Sequence, residues 1–136
     1  MTLTQKLEEL LAAYEPITDP QERMALIVDS IPANTRLPEA QRIETHRIKG
    51  CISAAWLVCD MKNGLCHFRC AADSPLVGGL LACLCTFYSD ATPAEISASE
   101  IDPLASLGLT RSLSPTRLNG LTQARRRIRE LASALS

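Results

Sequence analysis

The sequence has no excess of charge of either sign. Fourteen Lys and Arg stand against fifteen Asp and Glu, a net charge of -1. The chain as a whole therefore has no electrostatic pull toward nucleic acid or an anionic membrane. Long apolar runs are missing too: none reaches the ~18 to 20 residues that span a bilayer. The opening, Met1-Thr2-Leu3-Thr4-Gln5-Lys6, has no basic segment leading into an apolar stretch, so no secretory leader is evident. Together these absences predict a cytoplasmic protein with reduced thiols. Histidine is scarce, and His46 and His67 sit in no metal-ligand spacing. Cys66-x3-Cys70 and Cys83-x-Cys85 are not the paired C-x2-C units of a zinc ribbon. There is no internal repeat, low-complexity tract or internal boundary, so residues 1–136 read as a single domain.

What is present suits a packed core. Apolar residues make up 46% of the chain and charged residues 21%, a balance that argues against disorder. Six cysteines would permit three disulfides. Disulfide scaffolds, however, tend to be short and poor in core, unlike this chain.

One local signal recurs: a side-chain capper followed at once by proline, at Asp19-Pro20, Ser74-Pro75, Thr92-Pro93, Asp102-Pro103 and Ser114-Pro115. The capper's oxygen accepts from orphan helix amides, and proline at the first helical position has no amide to orphan. Each pair marks a helix start. Glu22 and Glu95 fall where a capping box wants a carboxylate. An earlier helix opens at Thr2, with Gln5 completing a box and Leu3, Leu7, Leu10, Leu11 and Tyr14 as its apolar stripe. The second runs over about 20–31, with Met24, Ile27, Val28 and Ile31 inward, and Pro32 stops it. Residues 32–49 form a long polar connection, and long connections in compact domains often carry function.

Asn63-Gly64 then signals a tight hairpin turn over about 52–72. With those two residues as the turn, Leu57, Cys59, Met61, Cys66, Phe68 and Cys70 share one apolar face. Trp56, Val58, Asp60, His67 and Arg69 share a mixed one. A nearly all-apolar helix follows over 76–88, then short helices near 93–98 and 103–107, with Gly108 as a stop. A last helix extends from 115 almost to 136, with Leu118, Leu121, Ile128, Leu131 and Leu135 inward. The plan is α+β: a small antiparallel sheet packed on one face against several helices, with a long C-terminal helix. Arg125-Arg126-Arg127-x-Arg129 falls on the outer side of that helix and reads as a solvated face rather than a nucleic-acid site.

Five cysteines have a bland reading. Cys59, Cys66 and Cys70 lie on the apolar sheet face, and Cys83 and Cys85 lie in the apolar helix; buried cysteine is a small, inert hydrophobe. Cys51 differs. It stands where the polar connection meets the first strand, in His46-Arg47-Ile48-Lys49-Gly50-Cys51. Arg47 and Lys49 bring positive charge, His46 adds to it, and positive charge favours thiolate. Gly50 removes a side chain beside the sulfur and lets the backbone bend.

Three stretches resemble the SufE/CsdE family of sulfur acceptors that partner cysteine desulfurases. Ile48-Lys49-Gly50-Cys51-Ile52-Ser53-Ala54-Ala55-Trp56 looks like the family's active-cysteine segment. Ala72-Asp73-Ser74-Pro75-Leu76-Val77-Gly78-Gly79-Leu80 looks like its Asp-Ser turn into an apolar helix. Leu113-Ser114-Pro115-Thr116-Arg117-Leu118-Asn119-Gly120-Leu121 looks like its Leu-(Ser/Thr)-Pro-Ser-Arg-x-x-Gly-Leu element. Order and spacing agree, and Arg36-Leu37-Pro38 fits a weaker pattern upstream. Two positions depart: Ile52 stands where the family usually has Gln, and Thr116 where it has Ser. Loss of the Gln amide alters polar contacts in the active loop and bears on rate and partner choice.

The resemblance implies that Cys51 takes sulfur from the persulfide of a pyridoxal-phosphate-dependent cysteine desulfurase and stimulates that enzyme. The sulfur then passes to an iron–sulfur scaffold or another acceptor. In this scheme the chain holds no metal or organic cofactor. It is a covalent carrier and activator rather than an enzyme with a small substrate of its own. His46, Arg47, Lys49, Gly50 and Ser53 would shape the active segment and the docking surface. Asp73 and Ser74 open a helix whose N-terminus favours an anion. Arg117 sits where its charge opposes the helix dipole, which points to a salt bridge with Asp73 or to the partner surface. Trp56 packs under the active segment. Two other readings compete. A metal or cluster scaffold needs three or more converging ligands, and the hairpin register holds Cys51 apart from the other cysteines. A pure adaptor stimulates by contact and carries no sulfur.

Overall fold

The computed structural model describes residues 1–50 and 54–135, an α+β arrangement of helices around one β-hairpin. The first helix, α1 (Leu3–Tyr14), opens with the expected capping box: Thr2 Oγ accepts from Gln5 N–H at 3.1 Å, and Gln5 Oε1 accepts from Thr2 N–H at 2.8 Å. The second, α2 (Pro20–Asp29), is capped by Asp19. Three 3-10 turns follow, Ala33–Thr35, Glu39–Gln41 and Glu44–His46, within the polar connection.

Strands β1 (Ala55–Lys62) and β2 (Leu65–Ala72) pair in the expected register, Lys62 opposite Leu65 and Cys59 opposite Phe68. The turn works because both of its residues take positive φ, 54° at Asn63 and 78° at Gly64. The face carrying Leu57, Cys66, Phe68 and Cys70 is buried against α3 (Pro75–Tyr88), the central helix. Ser89 stitches the two together: its Oγ accepts from Phe68 N–H at 3.0 Å and donates to the Cys85 carbonyl at 2.7 Å.

Two short helices, α4 (Pro93–Ala98) and α5 (Pro103–Ser106), lead to the long α6 (Pro115–Leu135). Helix α6 packs on α3, α4 and β1 through Leu121, Ala124, Ile128 and Ala132. No helix among the described residues is long and apolar enough to cross a membrane.

Several expectations need correcting. Leu118 and Leu135 are 41% and 46% exposed, not inward. The seam of α6 is narrower than leucine spacing suggested, because Ala124 and Ala132 occupy it and the helix ends overhang the core. Met61 is exposed at the tip of the hairpin, and Leu11 also faces out. Glu95 does not close a box on its own helix; its Oε2 accepts from Leu3 N–H at 2.9 Å and so docks α1. Lys6 completes that docking, donating to the carbonyls of Thr86 (2.8 Å) and Ser89 (3.0 Å) at the C-terminal end of α3. The second face of the hairpin is also partly covered. Leu37 is fully buried against Val58, Ala71 and Trp56, held by its N–H donating to the Cys70 carbonyl at 2.8 Å.

Candidate functional site

Cys51 and Ser53, singled out from the sequence, lie outside the described residues; the frame on either side of them does not. Before them, Arg47 pairs with Trp56 in an antiparallel bridge, and Ile48 N–H donates to the Ala55 carbonyl at 2.8 Å. Ile48 and Ala55 are both buried. After them, the Ala54 carbonyl accepts from Asp73 N–H at 3.0 Å. The connection and the start of β1 are therefore tied side by side.

Gly50 is the tightest point of this frame. Its φ is +84°, a region an L-residue adopts only under strain. A Cβ there would also come within 3.2 Å of the Gln123 side chain on α6. The Gly50 carbonyl accepts from Asn119 Nδ2 at 3.2 Å. Thus the connection, the Asp73–Ser74 turn and the first half of α6, three stretches far apart in sequence, meet at the two ends of the segment that contains Cys51.

The other predicted residues are distributed around this frame. His46 is half-buried at the end of its 3-10 turn. Arg47 is exposed, 3.8 Å from Glu44, and Lys49 is exposed. Asp73 is exposed, while Ser74 caps α3 with its Oγ 3.5 Å from Val77 N–H. Arg117 is exposed on the first turn of α6, and among the described residues it forms no ion pair, with Asp73 or any other carboxylate. Trp56 packs with Leu37, Val58 and Ala71, beneath the connection.

The remaining cysteines are free thiols turned into the core. Cys66, Cys70, Cys83 and Cys85 are buried, and Cys59 is half-buried. Burial pushes the Cys59 and Cys83 thiols up to about 12, and it raises Cys66 and Cys85 as well. Such thiols are protonated at neutral pH and poor nucleophiles. Among the described residues, no three His, Cys, Asp or Glu side chains are placed to hold a metal ion.

Residues 8–132 match the family model described as "SufE: Fe-S metabolism associated domain". The chain belongs to the SufE family. An uncharacterized SufE-like protein of Rhizobium etli is 30% identical over 131 residues, covering 93% of this chain and 88% of that one. One from Synechocystis is 29% identical over 119 residues, covering 88% and 75%. A chloroplastic quinolinate synthase of Arabidopsis thaliana is 26% identical over 134 residues; this chain spans 94% of its own length but 19% of that protein. The solution structure of a hypothetical protein from Thermus thermophilus shares the fold, with a TM-score of 0.71 at 18% identity over 95% of this chain and 94% of that one.

For this SufE-family chain, sequence reasoning missed the part of the frame contributed by α6, through Asn119 inside the third family stretch and through residues after it. Asn119, Gln123, Arg126, Arg127 and Glu130 recur at helical spacing, and the last four line a cleft of about 630 Å³ together with Glu44, Arg47 and Lys49. The spacing was visible in the sequence. That this helix face meets Gly50 was not, because it depends on which seam of α6 is buried.

Proposed function

We propose that the chain is a sulfur carrier in iron–sulfur metabolism, with Cys51 as the acceptor. The donor is the persulfide of a pyridoxal-phosphate-dependent cysteine desulfurase. Cys51 attacks as thiolate on the outer sulfur of that persulfide. A new S–S bond forms at Cys51, the donor's S–S bond breaks, and its sulfur leaves as thiolate. Oxidation level is conserved, so no external oxidant or reductant enters. The reverse exchange, onto a scaffold or other acceptor, delivers the sulfur.

The observation that carries this reading is the convergence of the three family stretches at the ends of the Cys51 segment, through Gly50 with Asn119 and Ala54 with Asp73. The five other thiols support it by default: Cys66, Cys70, Cys83 and Cys85 are buried, and burial raises the half-buried Cys59 thiol to about 12. Arg47 and Lys49 favour the thiolate and the persulfide anion, and His46 adds its imidazole to the same segment. Asp73 and Ser74 set the start of α3, whose N-terminal amides favour a nearby anion. Ser53 and Arg117 serve the active segment and the partner surface. Localisation in the cytoplasm belongs to the same proposal.

Incubation with a desulfurase and cysteine, followed by intact-mass analysis, tests it. The wild-type chain should gain one sulfur atom and Cys51→Ser none. Loading of Cys51→Ser would place the carrier elsewhere. Full stimulation of the desulfurase by Cys51→Ser, without loading, would make the chain an adaptor.

A further inference from the structure

The four arginines of Arg125-Arg126-Arg127-x-Arg129 do not share one role. Arg125 donates to the Ile101 carbonyl at 3.5 Å, and Arg129 donates to the Ser97 carbonyl at 3.3 Å and pairs with Glu100 at 3.4 Å. These two fasten α6 to the last turn of α4 and the segment that follows it. Arg126 and Arg127, like Lys49, form no ion pair among the described residues. They line the cleft of about 630 Å³ between α6 and the 3-10 turn Glu44–His46, with Arg47 and Lys49 on the opposite wall. Two carboxylates, Glu44 and Glu130, oppose the four cations, and Glu44 is already engaged by Arg47. In a chain of net charge -1 this is a local surplus of positive charge. Its lining includes Gln123, the side chain against Gly50, so the cleft adjoins the residue that precedes Cys51 in the chain.

We infer that this cleft, lined by Arg47, Lys49, Arg126 and Arg127, docks an acidic segment of the sulfur-donating protein. The inference rests on the sulfur-carrier reading, and charge complementarity selects its occupant. Small-molecule pockets are mostly apolar, whereas the walls here are ionic. A protein that brings a loaded cysteine to Cys51 must also cover the residues beside Gly50. Unpaired cations there steer an acidic surface into register and slow its departure.

The test compares desulfurase affinity and sulfur loading for the wild type and for Arg126→Glu/Arg127→Glu, with Lys62→Glu at the hairpin turn as a charge control. Each is measured in low and in moderate salt, and each is also loaded directly with inorganic polysulfide. The double variant should bind roughly tenfold more weakly and load correspondingly less from the desulfurase, with Lys62→Glu unchanged. Wild-type affinity should fall with salt, and polysulfide loading should match wild type in every variant. Affinity within about twofold of wild type for the double variant, or a salt-independent wild type, overturns the docking site. Should the reversal unfold the chain, Arg126→Gln/Arg127→Gln decides on the same criteria, with a smaller expected loss. A wild type that binds the desulfurase but takes no sulfur from it refutes the carrier reading instead, which keeps the two failures distinct.

Discussion

Gly50 combines two constraints that seldom coincide. Its backbone is left-handed, and its missing side chain leaves room for Gln123. Gly50→Ala should destabilise the fold by about 1–2 kcal/mol, the cost of a left-handed L-residue, and slow sulfur loading as well. Urea denaturation and timed mass spectra check the two effects. Asn119→Ala, which removes only the bond to the Gly50 carbonyl, should cost about 1 kcal/mol or less in stability yet still slow loading. The cysteines make a second residue-level contrast. Iodoacetamide applied to the native chain at neutral pH should label Cys51 and spare Cys66, Cys70, Cys83 and Cys85, as peptide mapping would reveal. Rapid labelling of a buried thiol would contradict the packing described above.

At the scale of elements, α3 is the shared wall, meeting the hairpin, α6, α2, α5 and α1. Its start is set by Ser74, so Ser74→Ala should lower stability by about 1 kcal/mol in chemical denaturation. Helix α6 is held by a narrow seam whose largest fully buried member is Ile128. Ile128→Ala should cost about 2–5 kcal/mol, and it should disturb sulfur loading by the proposed carrier too, because the same helix carries Asn119 and Gln123 to Gly50. The capper-proline pairs announced α2 through α6 almost to the residue, since a cap acts through atoms only two or three positions away. The inward faces were harder to read. Leucines at 118 and 135 obey helical spacing yet face solvent, because burial depends on where the neighbouring elements stop.

For the molecule as a whole, the buried thiols give stability a defined pH dependence. Cys59 and Cys83 titrate near 12 in the folded chain against an ordinary value of 9.0. A pKa raised by folding means the native state holds the proton longer than the unfolded chain. The stabilisation is complete below about pH 9 and is lost progressively as pH rises toward 12. Melting temperature should therefore fall above pH 9, and Cys83→Ala, though less stable at neutral pH, should show a shallower decline.

The sequence by itself determined the helix starts, the hairpin register and the placing of Cys59, Cys66, Cys70, Cys83 and Cys85 on the sheet face and α3. Each of these follows from short-range chemistry: capping oxygens, proline, a turn with two positive φ angles, and the two-residue period of a strand. The long-range joins were decided only in three dimensions. Lys6 at the end of α3, Glu95 on the amide of Leu3, Leu37 under the second sheet face and Asn119 on Gly50 each link groups dozens of residues apart. So does the cationic cleft, whose walls come from residues 44–49 and 123–130. No local pattern encodes such pairs, because they form only once the buried seams of α3 and α6 have fixed how the elements lie against one another.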